Sequence, residues 1–284
     1  CIVGAGVIGM EFASIFSSFG VEVTVVEFLK ECLPALDSDI AKRLRKVLEK
    51  RGVTFFMQCS VKSVAPSAEN GTGKTVVFED KKGRLQTVEA DEVLMAVGRK
   101  PRIGDDFAKA GFLYDERGGI QVDDNMQTTV EGIYAIGDVN GRQMLAHAAE
   151  MQGIHAVNCI LGRADGIRLD VMPAAIFTHP EAACVGLSED QCKERGLEYE
   201  CRKAFHRANG KALATGETEG MLKLLSDADG RIVGCHAFGA HSADMIQEVS
   251  VLMCRNTTVS QLRDMVHIHP TLGEILLAAA EATT

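Results

Sequence analysis

The chain has 284 residues, of which 46% are hydrophobic and 24% charged, an ordinary composition for about two globular domains. Its formal net charge of −9 argues against a nucleic-acid partner, because phosphate binding needs a basic surface. No apolar run reaches the roughly 18 residues that a membrane-spanning helix needs. We therefore expect an acidic globular protein with neither nucleic acid nor a membrane as its partner.

The cysteines are scattered and odd in number, without CxxC or metal-ligand spacing. Neither a disulfide framework nor a metal site is therefore expected. We interpret them as isolated reduced thiols of an intracellular protein. They are Cys1, Cys32, Cys59, Cys159, Cys184, Cys192, Cys201, Cys235 and Cys254.

Residues 1–30 have the order of a βαβ unit. A short apolar strand, CIV, precedes the glycine-rich GAGVIG, an apolar-faced helix MEFASIFSSF and the β-branched strand VEVTVV. Gly20 is placed to end the helix in a left-handed conformation. The next segment, DSDIAKRLRKVLEKRG, predicts an amphipathic helix capped by Asp37 or Ser38 and followed by the strand VTFFMQ.

The rest of the chain divides at two changes of pattern. Residues 61–97 predict strands joined by polar turns, and Gly-Arg-Lys-Pro at 98–101 marks the first boundary. GIYAIGD at 132–138 predicts a buried strand, and MLAHAAEMQGIHAVNCILG at 144–162 predicts a helix. From residue 171 onward, strands and helices are mixed, which predicts an α+β module.

The glycine loop indicates a dinucleotide site. Gly4, Gly6 and Gly9 have the GxGxxG spacing that provides a tight turn, close approach to a pyrophosphate and close helix–strand packing. Glu27 ends the second strand, where a carboxylate would bind the adenosine ribose and repel the 2′-phosphate of NADP. The pattern predicts NAD. Glu11 is expected in the first helical turn, where the helix dipole alone would explain an acid.

Several motifs together resemble one family. In chain order they are GAGVIGMEFASIF, VTVVEFL, AVGRKP, IYAIGDV, MLAHAAE, THPEAACVGLSE and HPTLGE. This set resembles the dihydrolipoamide dehydrogenases, a branch of the pyridine nucleotide–disulfide oxidoreductases. The similarity runs through the whole chain, and the ordered set is more specific than any single motif.

The resemblance implies three domains and a missing upstream part. It implies an α/β NAD-binding Rossmann-like domain over 1–98, a second segment of an FAD-binding domain over 99–170, and an α+β dimerisation domain over 171–284. The chain opens in a strand, at CIVGAG, so we expect a first flavin GxGxxG and a redox-active CxxxxC to precede it. Alone, this chain is expected to bind NAD weakly and to form no NADH from a dithiol.

The resemblance also assigns cofactor contacts to matching positions. Without it, Val61 would be read as strand packing, Asp138 as a turn or helix cap, and Arg99 as a solvated turn residue. Gly98 also has a physical reason, because a side chain there would block approach to the nicotinamide. The implied NAD contacts are Gly4, Ala5, Gly6, Val7, Ile8, Gly9, Met10, Glu11, Glu27, Val61 and Gly98. The implied FAD contacts are Asp138, Met144, Leu145, Ala146 and His147.

Two His-Pro pairs compete for a catalytic role. The pair in THPE, at 178–181, looks like a turn, and the family assigns it no chemistry. In HPTLGE, Pro270 suits the first position of a helix, so that Glu274 would lie about one turn in and could bend back to His269. A carboxylate there fixes the imidazole tautomer and favours its protonated form. His267 is expected to pack or to face solvent.

The family implies a role for this dyad: it takes a proton from a dithiol substrate at the disulfide of the partner subunit. Gly273 departs from the family, which has Ser or another small residue there, and a slightly altered turn is expected. The implied function is NAD- and FAD-dependent oxidation of protein-bound dihydrolipoamide. Another disulfide reductase, of the glutathione or mercuric type, and a non-enzymatic module that binds NAD or dimerises remain alternatives.

The implied partners are a second copy of the chain and the lipoyl domains of 2-oxo acid dehydrogenase or glycine cleavage complexes. The implied location is the cytoplasm, or the mitochondrial matrix in a eukaryote.

Overall fold

A computed structural model describes residues 1–67, 71–104, 107 and 109–283. The chain forms two compact units, one made of Cys1–Gly98 and Pro173–Thr284 and the other of Arg99–Met172. Compactness does not by itself define functional domains, so the division at 98/99 and 170/171 stays a prediction.

The first unit begins with a parallel sheet. Its order is β3-β2-β1-β7, and helix α1 connects β1 to β2 in the predicted βαβ unit. Side chains from both strands and helices, such as Ile2, Met10, Val25 and Leu44, are buried beside this sheet. The elements are β1 (Ile2–Val3), α1 (Val7–Ser18), β2 (Thr24–Glu27), α2 (Ser38–Lys50), β3 (Thr54–Met57) and β7 (Leu94–Met95).

Helix α2 follows the sequence prediction closely. Asp37 is its N-cap, and its side chain accepts a hydrogen bond from the Asp39 amide at 3.1 Å. The helix buries one apolar face and leaves basic residues such as Lys42 and Lys46 outside the core. The buried face consists of Ile40, Ala41, Leu44, Val47 and Leu48.

An antiparallel sheet of three strands, ordered β4-β5-β6, follows β3 along the chain. Its middle strand places the side chains of Val76 and Phe78 in a small core that includes Val26. The strands are β4 (Ser60–Pro66), β5 (Lys74–Glu79) and β6 (Leu85–Ala90).

In the second unit, helix α3 (Ala146–Ile160) confirms the helix predicted over 144–162. The strand predicted at 132–138 is wrong. Its apolar residues fit a strand, but Tyr134 makes only an isolated bridge to Gln127, and Gly137–Asn140 form a 3-10 helix. A strand needs a neighbouring ladder, which the described residues of this unit do not provide.

The remainder of the first unit is an antiparallel sheet with order β10-β11-β12-β9-β8 and several helices, as the mixed pattern predicts. The strands are β8 (Ala174–Ile176), β9 (Ala182–Gly186), β10 (Glu200–Phe205), β11 (Met221–Ser226) and β12 (Ile232–Phe238). The helices are α4 (Glu189–Glu194), α5 (Gly210–Thr215), α6 (Ser242–Cys254), α7 (Val259–Arg263) and α8 (Glu274–Glu281).

A buried charge cluster fixes the start of α2 on this antiparallel sheet. The Lys223 Nζ lies 2.7 Å from both Asp37 carboxylate oxygens and 2.6 Å from Glu189 Oε2, with 1% of the lysine side chain exposed. Burial alone would raise the pKa of Glu189, but hydrogen bonds from Lys193 and Lys223 lower it to about 2. The paired charges satisfy one another, so removing either partner would leave a buried ion.

All nine cysteines are free thiols, as the sequence predicts. Within the described ranges, none of the helices combines the length and apolar character needed to cross a membrane.

Candidate functional site

The glycine loop between β1 and α1 has three glycines with three different constraints. Gly4 has a φ of +102°, and a Cβ there would lie 2.5 Å from the Ala96 carbonyl oxygen. A Cβ on Gly9 would lie 2.0 Å from the Gly4 carbonyl oxygen, so helix and strand can approach only without it. A Cβ on Gly6 would meet nothing within 4 Å. Packing therefore explains Gly4 and Gly9, whereas Gly6 leaves open space for a ligand.

The N-terminus of α1 is suited to an anion. Gly6 is its N-cap, the end has no side-chain cap, and no acidic residue lies in the first turn. Free amides and the helix dipole at such an end favour a phosphate. The expectation that Glu11 lies in the first turn is wrong: it is the fifth helical residue, and its Oε1 accepts a hydrogen bond from the Phe177 amide at 2.8 Å.

Glu27 holds the glycine loop in place. Its Oε2 accepts from the Ala5 amide and its Oε1 from the Leu29 amide at 2.7 Å, and only 8% of the residue is exposed. The carboxylate therefore supports the loop before any ligand binds. A carboxylate has about four acceptor positions, so the predicted ribose contact is compatible with both bonds.

The other residues predicted to contact NAD differ in accessibility. Val7 and Ile8 are 44% and 40% exposed, whereas the Met10 side chain is fully buried in the core and could offer only its backbone. Val61 packs against the small core around Phe78. Gly98 has a φ of +110°, which alone favours glycine, because a Cβ there would meet no atom within 4 Å.

In the second unit, Asp138 is held by Arg99. The Arg99 Nη1 lies 2.9 Å from Asp138 Oδ2, and its Nη2 donates to the Met144 carbonyl oxygen at 2.8 Å. Asp138 is the second residue of a 3-10 helix and does not end a strand, which corrects the sequence prediction. Arg99 therefore bridges Asp138 and the Met144 carbonyl oxygen, although 53% of its side chain is exposed.

The predicted FAD residues that follow form the start of α3. Leu145 is the N-cap, without a side-chain hydrogen bond to the helix, and Ala146 and His147 are the first helical residues. No acidic residue lies in this first turn. The N-terminus of α3 thus lacks a side-chain cap and a first-turn acid, as the N-terminus of α1 does, and fits a phosphate-bearing cofactor.

A histidine and a glutamate meet near the C-terminus. His269 Nδ1 lies 2.9 Å from Glu274 Oε1, and Glu274 Oε2 accepts from the Thr271 amide at 2.8 Å. The His269 side chain is 79% exposed and that of Glu274 26%. The Thr271 amide, and after it His269, lowers the pKa of the Glu274 carboxyl. The predicted hydrogen bond is present, and a charged carboxylate orients an accessible imidazole.

The helix start predicted at Pro270 is wrong. Helix α8 begins at Glu274, with Gly273 as its N-cap, so Glu274 is the first helical residue instead of lying one turn in. The Glu274 carboxylate accepts from Thr271 N, and Thr271 Oγ1 donates to the Ile268 carbonyl at 2.7 Å; this turn precedes the helix. An acid at the first helical position also complements the helix dipole.

Comparison with known proteins decides the family. The model of the pyridine nucleotide-disulphide oxidoreductases matches residues 1–153, and the model of the dimerisation domain of the same family matches residues 172–280. The chain belongs to this family.

Similar proteins of this family include dihydrolipoyl dehydrogenases. That of Corynebacterium glutamicum is 39% identical over 98% of this chain and 60% of its own length, and that of Mycobacterium tuberculosis is 40% identical over 97% and 59%. Leghemoglobin reductase of Glycine max is 37% identical over 99% of this chain and 54% of its own. The chain thus spans less than two thirds of the length of these relatives.

Two solved structures resemble the fold. LpdA of Mycobacterium tuberculosis superposes with a TM-score of 0.86 at 30% identity, over 98% of this chain and 60% of its own. The HOCl-induced flavoprotein disulfide reductase RclA of Escherichia coli, in a Cu(II) complex of a mutant, gives 0.85 at 30% identity, over 98% and 62%. The predicted fold class is therefore confirmed.

Sequence reasoning missed Asn209, which holds the segment that contains His269. Asn209 donates from Nδ2 to the Thr271 carbonyl at 3.0 Å, and its Oδ1 accepts from the Ala212 amide at 2.9 Å. His267 packs, as one of the two predicted alternatives, with 8% of its side chain exposed, and its Nε2 also lies 3.2 Å from Glu248 Oε1. No spacing rule links Asn209 to position 271. In contrast, the lone lysine in the apolar MLKLLS could have indicated the buried Lys223.

Proposed function

We propose that this chain belongs to an enzyme that oxidises protein-bound dihydrolipoamide with FAD and NAD, and that His269 accepts the proton of the dithiol. The observation that carries the proposal is the 2.9 Å contact between His269 Nδ1 and Glu274 Oε1 on an exposed imidazole. The names of the Corynebacterium glutamicum and Mycobacterium tuberculosis relatives support the substrate class.

The proton transfer follows from the way the ring is held. Glu274 accepts the Nδ1 proton of His269, so Nε2 is the nitrogen that can take a proton from a thiol. The charged carboxylate then stabilises the imidazolium that forms. A thiol that loses its proton becomes a thiolate, which is the nucleophile in thiol–disulfide exchange.

The exposure of His269 supports a site completed by a second subunit. With 79% of its side chain exposed, the imidazole is accessible to a thiol and a disulfide that another surface would bring. The match of residues 172–280 to a dimerisation domain supports a second copy of the chain as that surface. A homodimer in which each His269 serves the partner subunit is therefore part of the proposal.

The cofactors would lie at the two uncapped helix ends. The loop Gly4–Gly9 and the α1 N-terminus would hold the NAD pyrophosphate, with Glu27 beside the ribose, and Asp138 with the start of α3 would hold FAD. Bound there, the flavin and the nicotinamide supply the electron and hydride transfer. Val61, Gly98 and residues 144–147 complete the proposed contacts.

The proposed partners are the lipoyl domains of 2-oxo acid dehydrogenase or glycine cleavage complexes. The proposed location is the cytoplasm, or the mitochondrial matrix in a eukaryote. The relatives include a bacterial enzyme and an enzyme of Pisum sativum that is named as mitochondrial, which supports either location.

A second candidate is a flavoprotein disulfide reductase with another substrate. The similarity to RclA of Escherichia coli and to leghemoglobin reductase of Glycine max favours it, since the same fold carries these other names. In this candidate the dyad would protonate a different leaving thiolate.

Initial rates on the FAD-loaded full-length enzyme to which this chain is proposed to belong test the two candidates. We expect dihydrolipoamide to reduce NAD at least about tenfold faster than NADP, since Glu27 would repel a 2′-phosphate. Oxidised glutathione with NADPH should give far lower rates. A preference for NADPH, or faster reduction of glutathione than of lipoamide, would replace the first candidate with the second.

A further inference from the structure

A second histidine in this molecule is arranged for proton transfer, in the unit that contains α3. His155 Nδ1 lies 3.0 Å from Asp165 Oδ2, and the same carboxylate oxygen accepts from Asn158 Nδ2 at 3.0 Å. On the opposite side of the ring, His155 Nε2 lies 3.7 Å from the Sγ of Cys159. His155 and Cys159 are four residues apart on α3, so both side chains lie on one face of that helix.

The geometry fixes the direction of proton transfer. Asp165 is held as a carboxylate, because hydrogen bonds from Asn158 and then His155 lower its pKa. An acceptor facing Nδ1 keeps the proton on that nitrogen, so a neutral His155 presents the lone pair of Nε2 to the sulfur. Thiol, imidazole and carboxylate then stand in the order of a nucleophile, its base and the group that orients the base.

Seven of the other cysteines differ from Cys159 in burial or exposure. Burial raises the pKa of the thiols of Cys32, Cys59, Cys184, Cys192, Cys201 and Cys235. Cys254 is the most exposed cysteine, whereas Cys159 is only partly exposed. If exposure alone decided reactivity, Cys254 would react first.

Two further features of the surroundings of Cys159 bear on its activation. Cys159 is the second-last residue of α3, beside the negative end of the helix dipole. The Cys159 Sγ also lies 3.4 Å from Asn125 Oδ1. The oxygen and nitrogen of an amide are interchangeable by rotation, so Asn125 can instead donate to a thiolate.

We propose that Cys159 is a reactive thiol, activated by His155 and Asp165, that exchanges with low-molecular-weight disulfides of the glutathione type. His155 Nε2 takes the thiol proton, and the Cys159 sulfur attacks one sulfur of the disulfide. The disulfide bond breaks as the new S–S bond forms, and the departing thiolate takes the proton from His155. The step converts Cys–SH and RSSR into Cys–S–S–R and RSH, so atoms and electrons balance. The proposal does not depend on the dihydrolipoamide assignment.

Site-resolved alkylation of the purified protein tests the activation. Limiting iodoacetamide at pH 7, followed by tryptic digestion and mass spectrometry, gives a rate for each thiol; the peptide 143–163 contains Cys159 as its sole cysteine. We expect Cys159 to react at least about threefold faster than Cys254, despite its lower exposure, because a base in contact with its sulfur can take the thiol proton as the sulfur attacks. With oxidised glutathione, the mixed disulfide should form first on the same peptide.

Variants separate activation from simple access. His155→Gln should slow Cys159 at least about threefold and leave Cys254 unchanged, and Asp165→Asn should have a smaller effect in the same direction. His241→Gln is the matched control, since His241 also pairs with an aspartate, Asp244, at 3.0 Å; the Cys159 rate should not change. The proposal is overturned if Cys159 reacts no faster than Cys254, or if His155→Gln leaves its rate intact. A fall in both cysteine rates would also overturn it, because a general change is not activation.

Discussion

The two His-Pro segments of the first unit share a dipeptide and differ in what their histidines do. Both His179–Pro180 and His269–Pro270 have a cis peptide bond, and both histidines are exposed. His179 makes its hydrogen bonds through its backbone, whereas His269 makes its contact through its side chain.

At THPE the contacts are structural. The His179 amide donates to Ser14 Oγ at 2.9 Å, and its carbonyl oxygen accepts from Arg51. The nearby Glu181 carboxylate accepts from the Ala243 amide at 3.3 Å, in the first turn of α6. These bonds tie the segment to α1 and α6, and they support its structural interpretation.

At HPTLGE the carboxylate returns to the ring. Glu274 contacts His269 Nδ1 at 2.9 Å instead of another helix. The direction of the neighbouring carboxylate, rather than the His-Pro pair, therefore separates a candidate acid–base residue from a turn.

The largest expected effect comes from replacing each histidine. His269→Gln should lower the turnover of dihydrolipoamide with NAD about a hundredfold or more, because it removes the group that accepts the proton. His179→Gln should change turnover less than about twofold, since its side chain has no part in the proposed transfer. Steady-state kinetics on the FAD-loaded full-length enzyme with each substitution make the comparison, and equal losses of turnover would remove the distinction.

Replacing each carboxylate should give a smaller and different contrast. Glu274→Gln keeps a hydrogen-bonding group near Nδ1 but loses the charge that stabilises the imidazolium, so we expect turnover to fall about tenfold or more. Glu181→Gln should leave turnover unchanged and lower the free energy of unfolding by about 1 kcal/mol or less. Kinetics paired with urea unfolding measure both. A loss of turnover in Glu181→Gln would contradict its structural role.

The next largest contrast is expected between Asn209, which holds the HPTLGE segment, and Ser14, which holds the THPE segment. Asn209→Asp keeps the acceptor for Ala212 but loses the donor to the Thr271 carbonyl, so we expect turnover to fall about threefold with the helix cap intact. Ser14→Ala removes the acceptor of the His179 amide and should cost about 1 kcal/mol of stability without affecting turnover.

Measuring kcat and KM beside the melting temperature shows whether Asn209 positions the His269 segment or only caps a helix. If Asn209→Asp lowered the melting temperature but kept kcat and KM for dihydrolipoamide, Asn209 would be a cap alone.

The smallest expected effect is on the titration of Glu274. Its pKa lies below the usual value, first through the Thr271 amide and then through His269. The stability from this ionisation is therefore present at neutral pH and is lost as pH falls through the lowered pKa. In His269→Gln the pKa should rise only partly, because the amide remains. Carbon-13 NMR of the labelled carboxyl measures this, and a full return to the usual value would assign the effect to His269 alone.

Local signals in the sequence predicted much of the fold. The helix α2 with its Asp37 cap and the βαβ unit follow from periodicity and capping, which act over a few residues. The prediction of a strand at 132–138 is wrong because a strand depends on a neighbouring strand, which composition does not specify. The predicted start of α8 is wrong because Thr271 and Glu274 form a turn before the helix.

The candidate site was predictable where its parts lie close in sequence. His269 and Glu274 are five residues apart, and their hydrogen bond was expected. Glu27 was predicted beside a ribose, but its bond to the Ala5 amide spans 22 residues and depends on how the sheet closes. The Asn209 contact spans 62 residues and has no local pattern. Long-range contacts of this kind require the tertiary structure.

The most direct test of the proposed role of His269 measures two reactions of the FAD-loaded full-length enzyme that carries His269→Gln. One is reduction of NAD by dihydrolipoamide, and the other is oxidation of NADH by ferricyanide, which needs no proton from a dithiol. If His269 serves only the dithiol, the first rate falls about a hundredfold or more while the second stays within about twofold of the unsubstituted protein. A parallel fall in both rates, or no fall in the first, would contradict the proposed role of His269.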